Sequence, residues 1–315
     1  MIRFLAAAAL AAAFSRARVA EDTVSTARHF TLVPAGEGAW AAIAKDGDRD
    51  SVGNAGFVVG SDAVLVVDTF MTPAGAEELA AEIRKITPLP IRWVVNTHYH
   101  LDHVGGNAVF ERAGAAVIAH ENVRAWIRTE NLKWRREITA EDREMLARLV
   151  LPDLTYRDGV TIWLGDRKVE VLFRAGHTGG DSIVVVPSSN VVFAGDLFWR
   201  ETLPNLIDAS TEAWVDTLDG FLQAHPASTF VPGHGTPGKA LDVRTFREFL
   251  SALRLSVARG LSEGVEGQAL VDRVLGTLRP RYGTWKWFDD FAARDVEWTE
   301  QETRGTKKLP KPPSP

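Results

Sequence analysis

Between residues 97 and 106 the chain reads Thr97-His98-Tyr99-His100-Leu101-Asp102-His103-Val104-Gly105-Gly106. Three histidines and a carboxylate stand together here, directly after an apolar strand predicted over 91–96. His98 and His100 are one residue apart, so both side chains project the same way while the backbone is extended. Asp102 and His103 then enter from the turn into a following helix, facing the same pocket from another side. Gly105 and Gly106 let the chain bend closely around the cluster. A helix-capping role for Asp102 alone leaves the three flanking histidines unexplained.

Composition narrows what such a cluster can do. The chain has 315 residues and no cysteine, which excludes disulfides, thiol nucleophiles and thiolate metal sites. Imidazole and carboxylate remain as the strong metal ligands. An apolar share of 45% with 24% charged residues supports a packed globular core rather than a disordered chain. The formal charge of −5 disfavours nucleic-acid binding, which needs a basic surface. Arg3 followed by the alanine-rich run Phe4–Phe14 is too short to span a bilayer but suits an export signal. Residues 1–20 are therefore expected to be removed, leaving a periplasmic or secreted protein. No later run reaches 18 apolar residues, so no stable membrane insertion is expected afterwards.

Short strands are predicted over 56–59, 64–67, 115–119, 169–173, 183–186, 191–193 and 229–231. Helical patterns cover 73–86, most of 122–150, 211–224, the stretch from 241 onward, and 268–278 before Pro280. Alternation of the two element types says α/β, with both faces of the sheets covered. The strand ends repeat one theme. His177 follows the strand over 169–173, Asp196 follows 191–193, and His234 follows 229–231, each beside glycine. Five of the eight histidines and two aspartates thus converge, while His29, His120 and His225 have no such setting. Thr97 and Thr178 are placed to orient ligands by hydrogen bonds.

The run His-x-His-x-Asp-His, then an isolated histidine, an aspartate and a last histidine, resembles the metal motif of the metallo-beta-lactamase superfamily. The likeness covers about residues 53–235. It implies a four-layer αββα sandwich and a metal-dependent hydrolase with two zinc ions per chain, iron or manganese being possible substitutes. His98, His100 and His177 would hold the first metal, Asp102, His103 and His234 the second, and Asp196 would bridge them, as in glyoxalase-II-like members. The segment Gly195-Asp-Leu-Phe-Trp is more similar to the general hydrolase branch, including its exported relatives, than to beta-lactamases proper.

The implied domain spans 21–240, with a helical extension over 241–303 and a disordered tail over 304–315. The expected reaction is attack of a metal-activated hydroxide on a carbonyl ester, thioester, lactone or amide. Asp102 would also take part in catalysis by handling the proton of the nucleophilic water. Beta-lactam hydrolysis is the alternative, followed by phosphoester cleavage and by metal binding without turnover. A redox reading with iron and flavin needs a flavin-binding module, and none fits after Gly235. The partner is a small molecule. Ten tryptophans raise the expectation of an apolar rim, drawn from Trp126, Trp134, Trp199, Trp285 and Trp287 with Tyr282 and Phe288. Lys133, Arg135, Arg136 and Arg200 are candidate anchors for an anion, set against the plainer reading of a solvated charge run.

Overall fold

The computed structural model describes residues 25–133, 135 and 137–311. The expected export signal over 1–20, together with Trp134 and Arg136, lies outside the described residues. Two β-sheets lie face to face. The first runs in chain order through β1 (Ser25–Thr26), β2 (Phe30–Gly36), β3 (Ala39–Ala44), β4 (Ala55–Val59), β5 (Val64–Val67), β6 (Ile91–Val95), β7 (Ala116–His120) and β8 (Leu154–Tyr156). The second holds β9 (Gly159–Leu164), β10 (Arg167–Phe173), β11 (Ser182–Val186), β12 (Val191–Trp199) and β13 (Thr229–His234), with β13 and β9 at its edges. Strands β5 to β8 pair in parallel, as do β12 and β13.

The strand period of two explains the layering. In Val64-Leu65-Val66-Val67, Leu65 and Val67 turn inward to meet Val169, Val171, Val184 and Phe193 of the opposite sheet. Val64 and Val66 turn outward to helix α1 (Pro73–Ile86), where Leu79 and Ile83 wait. Two short helices, α2 (Leu101–Val104) and α3 (Asn107–Arg112), follow β6, and Phe110 joins that outer layer. Across the molecule, Ile183, Val185 and Val192 face α6 (Thr211–Ala224), α7 (Ala240–Ser262), α8 (Gly267–Tyr282) and α9 (Phe288–Thr303). A sheet buried on both faces has to read as a continuous apolar run, which these strands do. Helices, sheet, sheet and helices make the expected αββα sandwich.

Several boundaries differ from the sequence reading. The run over 122–150 breaks into α4 (Glu121–Trp126) and α5 (Ala140–Arg148). Leu132 takes a left-handed φ of 64° between them, and Thr139 and Asp142 close a reciprocal capping box that starts α5 afresh. Helix α8 does not stop before Pro280 but runs through it to Tyr282. Its buried stripe of Leu270, Val274, Leu278 and Tyr282 continues past the proline, so burial offsets one missing backbone hydrogen bond.

Of the expected tail over 304–315, residues 304–311 are described. They are mostly exposed but tethered, because Lys307 Nζ donates to the carbonyls of Leu206 (2.7 Å) and Ala209 (2.6 Å). Farther on, Trp126 Nε1 donates to the carbonyl of Lys311 at 2.9 Å. Low hydropathy hid this anchoring, since it works through polar donors and not through an apolar stripe.

On the same loop, Asp295 of α9 accepts from Leu206 N at 3.3 Å, and its other oxygen has no partner. Burial pushes its carboxyl well above the usual range, with Lys307 pulling weakly the other way. A raised folded-state pKa gives stability that is complete below the unfolded value and is lost as pH rises through the folded one. Asp295→Asn should therefore stabilise the protein increasingly from about pH 4 upward, by up to about tenfold in the unfolding constant per pH unit. Thermal melts of both proteins at stepped pH would show the gap widening. A constant gap would refute the assignment.

Candidate metal centre

All seven residues singled out by the motif meet where the strands end, between the two sheets. His98 and His100 follow β6, Asp102 and His103 lie on α2, and His177 lies in the loop after β10. His234 closes β13. Asp196 is not beyond its strand as expected. It lies within β12, which runs on to Trp199 through two register shifts flanking Gly195 and its neighbours. The β-bulges re-aim the carboxylate into the centre. Gly233 makes room for it, since a Cβ there would stand 1.8 Å from Asp196 Oδ1.

The polar atoms form two groups. His98 Nε2, His100 Nδ1 and His177 Nε2 make one: His100 Nδ1 is 3.1 Å from His98 Nε2 and 2.9 Å from His177 Nε2. Asp102 Oδ2, His103 Nε2 and His234 Nε2 make the other, with separations of 3.5 and 3.3 Å from the carboxylate oxygen. Asp196 serves both. Its Oδ2 lies 3.2 Å from His177 Nε2 and 3.5 Å from His98 Nε2, while its Oδ1 lies 3.2 Å from His103 Nε2 and 3.5 Å from His234 Nε2.

Neighbouring groups fix which imidazole nitrogens carry protons. The Thr97 hydroxyl donates to Asp68 at 2.8 Å, so its oxygen accepts from His98 Nδ1 at 3.1 Å. His103 Nδ1 donates to Asp68 at 3.0 Å, and His100 Nε2 faces Asp208 at 3.6 Å. In the neutral rings of His98, His100 and His103, the inner nitrogen is then a lone pair. His103 Nε2 and Asp196 Oδ1 are buried 3.2 Å apart yet form no hydrogen bond. Lone pairs aimed at a common point repel unless a cation sits there, so the donor set fits divalent metal ions.

Charge agrees with this. Burial alone would raise Asp196, but His103, His234, His98 and His177 hold it well below the usual carboxylate range. Burial also opposes ionisation of Asp102, and His103 and His234 overrule it. Burial, helped by the other imidazoles, keeps His98 well below its ordinary value and brings His177 to about 3. Both stay neutral and ready to ligate near neutral pH. His103 moves the other way: burial lowers it, but Asp196, Asp102 and Asp68 raise it well above its ordinary value. A cation entering the second group must displace that proton.

A family model described as the metallo-beta-lactamase superfamily matches residues 48–234. The chain belongs to that superfamily. Curated relatives in it include a linear primary-alkylsulfatase of Pseudomonas sp. (strain ATCC 19151), 24% identical over 275 residues, covering 71% of this chain and 52% of the relative. A hydroxyacylglutathione hydrolase of Methylococcus capsulatus (strain ATCC 33009 / NCIMB 11132 / Bath) is 29% identical over 185 residues, covering 58% of this chain and 63% of its own. The chain thus spans between half and two thirds of these two relatives. Among solved structures, a metallo-beta-lactamase from Pontibacter korlensis superposes with a TM-score of 0.59 at 22% identity, covering 71% of this chain and 99% of that one. These neighbours place the chain among metal-dependent hydrolases and leave the substrate open.

Within the superfamily site, sequence reasoning missed the groups behind the ligands. Asp68 accepts from Thr97 N, the Thr97 hydroxyl and His103 Nδ1. Asp208 receives the Tyr99 hydroxyl at 2.5 Å and an ion pair from Lys133, beside His100. Asp181 accepts from Thr178 N and its hydroxyl, which pins the His177 loop. Thr97 touches a ligand ring, His98, as expected, whereas Thr178 bonds Asp181 and Gly180 and no ligand side chain. His29 joins Asp48 and Asp50, but its Nδ1 is already hydrogen-bonded to Asp48 at 3.0 Å.

A cavity of about 360 Å³ opens over His100, Asp102, His177, Asp196 and His234, a size suited to a small ligand. Trp199 stacks on His234 with centroids 4.0 Å apart, and Trp287 stands 5.2 Å from the same ring. Both line the cavity. Trp126, Trp285, Tyr282 and Phe288 pack elsewhere, and Phe291 and Trp298 take their place. Of the expected anion anchors, Arg200 is tied to Asp242, Thr236 and Pro237, and Arg135 to Asp142. Lys133 lines the cavity with its charge engaged by Asp208 and Glu130.

Proposed function

We propose that the protein is a dinuclear zinc hydrolase that cleaves a carbonyl ester, thioester, lactone or amide of a small molecule. The observation that carries this reading is Asp196, whose two carboxylate oxygens each face a separate trio of ligand atoms. His98, His100 and His177 would hold one ion, Asp102, His103 and His234 the other, with Asp196 shared. An all-nitrogen-and-oxygen donor set suits zinc, and iron or manganese can use the same ligands. When bound, the ion pair supplies Lewis acidity toward the carbonyl and a water of lowered pKa.

The chain's own groups do the rest. Asp102 has 20% of its side chain exposed against 3% for Asp196, so Asp102 is the carboxylate that meets the substrate side. It accepts a hydrogen bond from the attacking water and passes that proton to the departing alcohol, thiol or amine. Trp199, Trp287 and Ile207 line the cavity and would displace water from around the reacting bond when substrate is bound. The alkylsulfatase relative and the apolar wall favour one second reading, cleavage of a sulfate ester.

Metal analysis with a substrate panel tests the proposal. The panel comprises a chromogenic cephalosporin, an acyl-glutathione thioester, an acyl-homoserine lactone, an aryl ester, an aryl phosphate and an alkyl sulfate. Two zinc equivalents per chain and turnover of a carbonyl substrate are expected. Full metal loading with no carbonyl turnover would sink the reading, and turnover of the sulfate alone would select the second. We also propose export, supported by Arg3 and the run Phe4–Phe14. An extracytoplasmic protein whose first residue is still Met1 would contradict removal of residues 1–20.

A further inference from the structure

The cavity has one wall that the metal scaffold does not supply. Trp287, Phe291, Arg294 and Trp298 all line it, and all come from α9 or its N-cap. Residues 287, 291, 294 and 298 follow the helical spacing of three and four, so one face of α9 is turned to the cavity. Trp287 adopts a left-handed φ of 64°, an uncommon state for a bulky residue. Backbone bonds from Lys286 N to Glu201 O and from Leu203 N to Lys286 O hold the segment there. Strain kept in place by surrounding bonds at a cavity edge points toward use.

Arg294 differs from every other cation near the cavity. Lys133 is neutralised by Asp208 and Glu130. Arg294 is exposed and makes no hydrogen bond or ion pair among the described residues. In sequence it falls between Phe291 and Trp298 on the same helix face, and Ile207 and Met71 line the same cavity. An unpaired guanidinium beside apolar side chains can take a carboxylate, sulfate or sulfonate in a bidentate fork.

We infer that α9 forms a substrate subsite for an anionic amphiphile. The scissile bond lies over the metal ligands, an apolar chain or ring lies along Trp287, Phe291 and Trp298, and an anionic group set off from that bond pairs with Arg294. The inference rests on the proposed function for where the bond is cut and stands apart from it for what is bound.

Binding of decanoate, decanol and decyltrimethylammonium, read by tryptophan fluorescence in the metal-loaded protein, tests the subsite without turnover. Decanoate should bind tightest. Arg294→Ala should weaken decanoate about tenfold and leave decanol unchanged, and Arg294→Lys should recover part of the loss. Trp298→Ala should weaken decanoate and decanol alike. Melting curves would verify that the variants stay folded, as expected for an exposed arginine. Equal decanoate affinity in wild type and Arg294→Ala would overturn the inference, because the carboxylate would then be held by the metals alone. An equal loss of decanol would also overturn it. Carbonyl turnover without a decanoate preference would leave the proposed function standing and remove only the subsite.

Discussion

Asp196→Ala should lower kcat/KM by at least about 100-fold, beyond the usual effect of altering a group behind a metal ligand. Bound metal should fall from two ions per chain to one or none. The carboxylate faces both trios of ligand atoms, and its removal takes one ligand atom from each. It also removes the negative charge that holds His103 and His234 above their ordinary pKa values, together with Asp102. Steady-state kinetics together with metal quantification on gel-filtered protein would decide. A variant with two ions and near-native turnover would end the shared-carboxylate assignment.

Asp68→Asn separates orientation from bulk. The native carboxylate takes three donors: Thr97 N, the Thr97 hydroxyl and His103 Nδ1. An asparagine of the same shape can still accept from Thr97 N, but its amide would point N–H at His103 Nδ1. His103 must then accept there, which moves its proton to Nε2, the atom that faces the centre. Activity and affinity for the second metal should each fall about 10- to 100-fold, with only a modest loss of stability. Asp68→Ala should instead leave three buried donors without a partner, costing roughly 1–3 kcal/mol apiece. Denaturant melts and metal titrations on both variants would tell the two effects apart. Unchanged metal affinity in Asp68→Asn would disprove the tautomer argument.

The contrast between Asp68 and Asp208 shows where sequence reading succeeds and stops. Every residue of the two ligand trios follows or closes an apolar strand, or sits just inside the next helix, so local pattern was enough to find it. Asp68 carries the same mark, directly after Val64–Val67, but has no histidine beside it to single it out. Asp208 carries none. It reaches His100 and Tyr99 because a loop is folded over them from a distant part of the chain. The same limit applies to α9, whose cavity face is defined by what it packs beside. Strand β3 is hidden for a different reason: its alanines have little intrinsic preference for strands, and burial supplies it, Ala39 and Ala41 between the sheets and Ala42 toward the outer layer.

The Lys307 anchor has a consequence for the order in which the molecule is made. Ligands to both trios are all present once His234 has been synthesised. The wall from Trp287 to Trp298 and the lysine that pins the Leu206–Ala209 loop come later. Contacts this distant along the chain close slowly. The ligands are therefore all on the growing chain before the α9 wall exists, and whatever selectivity that wall confers is acquired last.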